Sequence, residues 1–338
     1  MARGKIIGID IGNYEVKVTV LDQGTVKLFF TEPVPDNAVK DGLIQYWDGM
    51  AEFLRETFKK HNIREKKAVF SVPMGAVYER RVEMPLMTVA QLKINLPYEF
   101  HDYITDEIAN YYFDYAVLER KEKSMDLMAV ACTRKMIEQY RRLAKAAGLK
   151  ITGLVPEVFG YQRLLNHAHV LEAEKHPEQE KRDYAVLDLG EQAFRIHFFK
   201  KGIYEITRSM EPGCIGLLKE ISDINGTDIH ISRIAAESDQ GNIMEHPQLM
   251  DLYNTRAVEV MRVLNFYSFN NPANTIDTLY CVGGGTKYAE LMKAIARQVS
   301  LPVKLFPELL HIEEAETPER DALVMSPQSY GVAVEPIF

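Results

Sequence analysis

Two short runs in this sequence have the residue types and spacing for phosphate chemistry. Asp10-Ile11-Gly12 and Asp188-Leu189-Gly190 each close an apolar run and open an alternating one. A glycine in that place lets the backbone approach a ligand and turn its N–H groups toward phosphate oxygens. The carboxylate cannot face phosphate directly, so it would act through a Mg²⁺ ion and that ion's waters. One such triplet alone is also an ordinary hairpin turn. The two triplets, however, share a register. A single offset of 178 residues relates Asp10 to Asp188, Gly12 to Gly190, Lys17 to Arg195 and Gly24 to Gly202. We read this as an internal duplication in which two related lobes present matched loops to one polyphosphate.

Two further glycine clusters fit the same chemistry. An apolar strand at 278–282 runs into Gly283-Gly284-Gly285-Thr286 and then a helix at 288–299. A strand, a glycine run and a helix N-terminus suit a phosphate or the face of a purine. Gly213 and Gly216, in the run 211–216, open a helix at 217–224, where they could admit a ligand or make a plain turn. Other chemistries find no pattern. The nine histidines lack ligand spacing, and Cys132, Cys214 and Cys281 lie far apart in apolar runs, as buried free thiols do.

The elements that must position these loops can be read from periodicity. Residues 5–31 predict a β-meander, with Val16, Val18 and Val20 on one face and a turn at Gly24. A helix follows at 49–61, then strands at 68–72 and 77–84. A helical stretch at 88–103 is bent at Pro97, strands follow near 111–118 and 127–132, and a helix at 135–147 stops at Gly148. After a strand at 150–155, Pro156 opens another helix. The run 172–182 (E-A-E-K-H-P-E-Q-E-K-R) holds a proline and almost no apolar residue, and predicts a solvated linker or hinge. Beyond it the meander begins again, with strands at 185–189, 194–199 and 203–208.

Composition sets the outer limits. A chain of 338 residues suits two lobes better than one simple core. With 46% hydrophobic and 26% charged residues it is ordinary for a globular protein. A formal net charge of −8 disfavours a nucleic-acid binder and a surface held on anionic lipid by charge alone. No run approaches the ~20 apolar residues of a membrane span, and the first residues lack the apolar stretch of a signal peptide. The expectation is a soluble, cytoplasmic protein without direct membrane insertion.

At this point the residues resemble a family. G-I-D-I-G-N-Y-E-V-K (8–17) is similar to the first phosphate motif of the actin, heat-shock chaperone and sugar-kinase superfamily. L-D-L-G (187–190) resembles its second phosphate motif and C-V-G-G-G-T (281–286) its adenosine motif. Pro156-Glu157 resembles the start of the first connecting helix, whose polar residue positions the attacking water. Within the superfamily, F-S-V-P (70–73), E-R-R-V-E-M-P-L-M (79–87), P-Y-E-F-H-D-Y-I (97–104), Y-F-D-Y-A-V-L (112–118) and Q-S-Y-G-V-A-V (328–334) resemble type IV pilus assembly proteins of the PilM family, related to the FtsA branch.

The resemblance implies an α/β chain with the duplicated actin-like (ribonuclease H-like) ATPase fold, two lobes and an inserted small subdomain. The implied divisions are a first-lobe core at 1–81, the insert at 82–150, a connecting helix and linker at 151–182, a second lobe at 183–320 and a closing helix at 321–338 that returns to the first lobe. It implies ATP and Mg²⁺, with Asp10, Glu157 and Asp188 as catalytic residues and Asp10 and Asp188 at the metal. Gly12, Asn13, Lys17, Gly190, Glu191, Gly213, Glu237, Gly283, Gly284 and Gly285 would then hold the nucleotide. It also implies an adaptor at the inner face of the cytoplasmic membrane, docking the N-terminal tail of a single-span, PilN-like partner beside the insert. Other pilus components and a second copy of the chain are further implied partners.

Several residues depart from the family pattern. Small hydroxyl residues are usual after the first Asp-x-Gly, but Asn13, Tyr14 and Glu15 stand here; after the second come Glu191, Gln192, Ala193 and Phe194. A glutamate beside a triphosphate repels it, and a bulky side chain hinders backbone approach. The family's Ala-Glu-x-x-Lys run keeps Ala236-Glu237 but ends in Gln240. The expectation is a nucleotide-degenerate scaffold with weak or absent turnover; the alternative is an active ATPase with a filament-forming or FtsA-like cell-division role.

Overall fold

The computed structural model describes residues 4–176, 178, 180–312 and 317–336. Residues 177 and 179 of the expected linker lie outside these, as do 1–3, 313–316 and the final two residues of the expected closing segment.

The opening apolar run forms β1 (Ile6–Ile11), which turns through residues 12–14 into β2 (Glu15–Asp22) and then β3 (Thr25–Pro33). The turn between the last two places Gln23 and Gly24 at φ 52° and 84°, a type I′ hairpin that matches the right-handed twist of the strands. A small hairpin, β4 (Val39–Lys40) with β5 (Leu43–Ile44), precedes α1 (Trp47–Lys60) and β6 (Lys67–Val72). The strands β7 (Val77–Pro85), β8 (Tyr111–Arg120) and β9 (Ser124–Thr133) form a separate three-stranded antiparallel sheet in the order β7-β9-β8. One face of it is covered by α2 (Val89–Asn95) and the 3₁₀ turn Leu96–Phe100, whose Leu92, Leu96 and Phe100 are buried. The bend expected at Pro97 is therefore a change from α to 3₁₀ geometry.

Helix α3 (Arg134–Ala146) falls within the range expected for the insert, yet its Tyr140, Leu143 and Ala144 pack into the core of the first sheet. Then come β10 (Lys150–Pro156) and α4 (Glu157–Lys175). The acidic run expected as a linker is shorter than its composition suggests, because α4 continues through the first four of its residues. Its far end is pinned: Arg182 pairs with Glu172 and Asp277, each at 2.8 Å.

The second half rebuilds the first. The strands β11 (Tyr184–Leu189), β12 (Phe194–Lys200) and β13 (Ile203–Met210) form an antiparallel meander, again with a type I′ turn at Lys201 and Gly202, φ 50° and 74°. Helices α5 (Cys214–Asn225), α6 (Ile229–Glu237) and α7 (Pro247–Asn270) follow, then β14 (Leu279–Val282), α8 (Ala289–Gln298), β15 (Val303–Leu305) and the short α9 (Phe306–Leu309). The two five-stranded sheets have one topology, β3-β2-β1-β6-β10 and β13-β12-β11-β14-β15. In each, the meander supplies three antiparallel strands, and two crossover strands add in parallel at the other side. The offset seen in the sequence is thus a repeated sheet. Every residue of β11 is buried, which explains its unbroken apolar character apart from Asp188.

Helices α10 (Pro318–Met325) and α11 (Pro327–Ala333) close the chain. The α11 helix is buried along its whole length, between β1 and α4. That depth requires glycine. A Cβ on Gly8 would lie 1.7 Å from the Ser329 carbonyl oxygen, and one on Gly331 would lie 2.1 Å from the Gly160 oxygen. The Thr19 and Ser329 hydroxyls, 2.7 Å apart, satisfy one another inside this seam. Substituting Gly331→Ala should cost about 1–3 kcal/mol through overpacking, whereas Gly75→Ala, with open space around it, should lie within about 0.5 kcal/mol of wild type. Urea denaturation of the two variants checks this.

Candidate functional site

The two Asp-x-Gly hairpins meet in a cleft of about 940 Å³ between the sheets. Asp10 and Asp188 stand at equivalent places near the ends of β1 and β11, and each faces a cation across its own hairpin. The paired residues are Asp10 with Lys17 and Asp188 with Arg195. Lys17 Nζ lies 3.6 Å from Asp10 Oδ2. A Cβ at Gly12 would stand 2.7 Å from Lys17 Nζ and 3.1 Å from the Glu15 carbonyl oxygen. Burial disfavours the Lys17 ammonium, but the carboxylates of Asp10, Asp188 and Glu15 outweigh it and hold its pKa above the usual lysine value.

Asp188 is more deeply set than Asp10. It accepts hydrogen bonds from Tyr161 Oη at 3.2 Å and Gln328 Nε2 at 3.1 Å. Burial raises its pKa, against the pull of Arg195 and Lys17. Asp10 accepts from Ser326 Oγ at 3.3 Å. The junction of α10 and α11 therefore touches both carboxylates. Glu157, the first residue of α4, accepts from the Met74 N–H at 3.3 Å. Burial, opposed by Arg195 and reinforced by Asp10, pushes its pKa up to about 7.

Of the other residues expected to hold nucleotide, Gly12, Asn13, Lys17, Gly190, Glu191, Glu237, Gly283 and Gly284 line the cleft. Asn13 spends its carbonyl on the Gly42 N–H, 2.9 Å away, tying the first loop to the β4–β5 hairpin. Gly283, at φ 90°, lies directly on Asp188, whose Oδ1 would be 2.6 Å from a Cβ there. Two expected residues are not in the lining. Gly213 packs under the second loop, where a Cβ would meet the Gly190 oxygen at 2.4 Å, and Gly285 packs on Leu189 and Cys214. Their small size serves close backbone packing. The first amides of α5 are likewise committed, with Cys214 N–H donating to the Gly190 carbonyl and Ile215 N–H to that of Glu191. The glycine run leads into a 3₁₀ turn, Gly284–Lys287, before α8 begins.

Sequence reasoning left Arg195, Arg233, Lys287, Ser326 and Gln328 outside the site. The first three line the cleft as cations. Arg195 was legible as the partner of Lys17 in the repeat, and Arg233 as the residue one helical turn before Glu237 on the same face of α6. Ser326 and Gln328 carry no local signal, because their partners lie 316 and 140 residues away. Arg233 donates to Glu191 at 2.6 and 3.4 Å and lies 3.7 Å over the ring of Tyr14. Carboxylates outnumber cations in the lining by more than two to one.

Mg²⁺ keeps several waters and is held by one or two carboxylates together with substrate phosphates. Asp10 and Asp188, one from each lobe and both facing the cleft, fit that need. Among the described residues no cluster of three His, Cys, Asp or Glu side chains forms a complete protein cage for a metal.

A family model described as type IV pilus assembly protein PilM matches residues 8–335. This chain belongs to that family. Among solved structures, the chain resembles the PilM–PilN type IV pilus biogenesis complex at a TM-score of 0.77 and 19% identity, covering 98% of this chain and 99% of that one. EutJ, an ethanolamine utilization protein from Carboxydothermus hydrogenoformans, matches at 0.61 and 15% identity, with 98% and 91% covered. MreB 5 of Spiroplasma citri bound to AMPPNP matches at 0.50 and 10% identity, with 91% and 93% covered. These likenesses establish the actin-like ATPase fold for this chain. No helix among the described residues is long and apolar enough to cross a membrane.

The Glu157 carboxyl gives a pH prediction. A folded-state pKa of about 7 lies above the ordinary glutamate value, so the folded protein keeps this proton after the unfolded chain has lost it. Stability from this group is full below about pH 4.5 and is lost as pH rises toward 7. Thermal melts of Glu157→Gln should gain on wild type across that window and hold the gain above it.

Proposed function

We propose that this chain is a cytoplasmic adaptor of type IV pilus, or related secretion, assembly. It docks the N-terminal tail of a single-span, PilN-like inner-membrane protein and binds ATP with Mg²⁺ weakly or degenerately. The partner recruits it to the inner face of the cytoplasmic membrane. The observation that carries this reading is a cleft between two Asp-x-Gly loops whose charged groups are already engaged, in a chain matched almost end to end by a pilus assembly family. Lys17 is paired with Asp10, Arg233 with Glu191, and the loop carbonyls with α5.

In this reading Asp10 and Asp188 hold Mg²⁺, and Gly12, Gly190, Gly283 and Gly284 allow backbone approach to the nucleotide. When bound, the ion offsets the repulsion between phosphates and the acidic lining. Lys17 and Arg195 face the phosphates from opposite lobes, and Glu237 on α6 faces the nucleoside. The partner tail docks as an extended peptide in a groove beside the insert.

One observation favours turnover as a second reading. Glu157 is held near the first loop with a pKa of about 7, where a carboxylate can serve as general base at neutral pH. Turnover predicts phosphate release that falls sharply in Asp10→Ala and Glu157→Ala.

Two measurements test the main proposal. Mg·ATP at a hundred times its Kd should stabilise the wild type by about 2.7 kcal/mol, and Asp10→Ala should lose most of that shift. A pull-down with the tail of a single-span protein encoded beside this chain should recover the complex, and failure with every such tail would sink the adaptor reading.

A further inference from the structure

The departures at Tyr14 and Glu191 have a common partner. Tyr14 sits on the β1–β2 turn of the first lobe, and its carbonyl accepts from the Val34 N–H at 2.9 Å. Glu191 sits on the β11–β12 turn of the second lobe, where its carbonyl accepts from the Ile215 N–H at 2.9 Å. Each loop is therefore fixed to its own lobe by backbone hydrogen bonds. Between them stands Arg233 of α6, with Nη1 and Nη2 on the Glu191 carboxylate and Cζ 3.7 Å from the centroid of the Tyr14 ring. The side chains of Arg233 and Glu191 are only 13% and 16% exposed, so solvent screens the pair poorly.

All three residues line the same cleft as Asp10 and Asp188. A guanidinium with two N–H groups aimed at one carboxylate makes the contact that an arginine makes to a phosphate. The Tyr14 ring adds a cation–π contact from the opposite lobe. Glu191 is thus an internal anion placed on the cation that an incoming phosphate would seek. The bulk at Tyr14 and the charge at Glu191, each unfavourable to a nucleotide, are complementary to one another through Arg233.

We propose that Tyr14, Arg233 and Glu191 form a latch that joins the two lobes across the cleft when nucleotide is absent, with the Glu191 carboxylate standing in for a nucleotide phosphate. Entry of nucleotide requires this contact to open, and removing either flanking residue lowers that cost. The second consequence rests on the nucleotide reading above; the joining of the lobes does not.

Hydrogen–deuterium exchange and calorimetric titration with Mg·ATP test it on the full chain. Tyr14→Ala should speed exchange of the α6 and β1–β2 turn amides about tenfold without nucleotide, the scale of one partly desolvated cation–π contact, and Glu191→Gln, which releases Arg233 from its carboxylate, should speed it in the same direction. Tyr14→Phe, which keeps the ring, should exchange as wild type does, and circular dichroism shows that each variant is folded. The same two variants should bind Mg·ATP about tenfold more tightly. Unchanged exchange in both variants would overturn the latch whatever the nucleotide does. Weaker Mg·ATP binding in both would also overturn it, since the residues would then be nucleotide ligands. Faster exchange with no Mg·ATP binding by any form would support the latch and defeat the nucleotide reading instead.

Discussion

Two carboxylates from different halves of the chain have to share one poorly solvated place, and the rest of the structure answers that constraint. Burying an unpaired carboxylate is costly, and two close together are worse. Each hairpin therefore carries a cation on the neighbouring strand, Lys17 opposite Asp10 and Arg195 opposite Asp188. The α10–α11 junction adds a hydroxyl to one carboxylate and an amide to the other, and α4 adds the Tyr161 hydroxyl. The sheets, the connecting helix and the closing helix are all arranged around this point. A ligand bringing a divalent cation would meet two carboxylates that already have cations beside them, in a lining that is acidic as a whole.

Much of this frame was readable from residue types alone. Gly24 and Gly202, with an Asp-x-Gly before each, fixed the repeated meander because type I′ turns and strand alternation are local signals. Asp10, Lys17 and Asp188 came from the same register. What could not be read depends on contacts between distant parts of the chain. Gly213 and Gly285 looked like ligand glycines, since a glycine that clears space for a phosphate and one that clears space for a neighbouring backbone look the same in sequence. Ser326 and Gln328 reach the carboxylates only through tertiary folding. Tyr14 and Glu191 were recognised as misfits for a nucleotide, but their meaning waited on Arg233, which lies 42 residues beyond the glutamate. The linker was judged by its charge, and composition does not reveal that Arg182 is clamped by Glu172 and Asp277.

The family model places the chain with type IV pilus assembly proteins, and its fold is the actin-like ATPase fold. Its own residues make the cleft particular. It has an acidic lining, a guanidinium held by an internal carboxylate and a glutamate whose pKa is pushed up to about 7. On the adaptor reading proposed above, such a site suits a component whose shape matters more to its partners than any turnover. Small differences in the free energy of lobe closure can then decide which conformation a partner meets.

The position of α11 bears on how the molecule comes into being. Its Ser329 meets Thr19 across 310 residues, and its backbone fills the space left open at Gly8 and Gly160. During synthesis the first strands emerge early, yet they lack this buried helix until some 310 further residues have been made. Contacts of such long sequence separation form slowly, because a large loop must close first. The first lobe thus waits on α11, and the surface of β1 and α4 that this helix covers stays open until it docks. The contacts of Ser326 and Gln328 with the two carboxylates depend on that same docking.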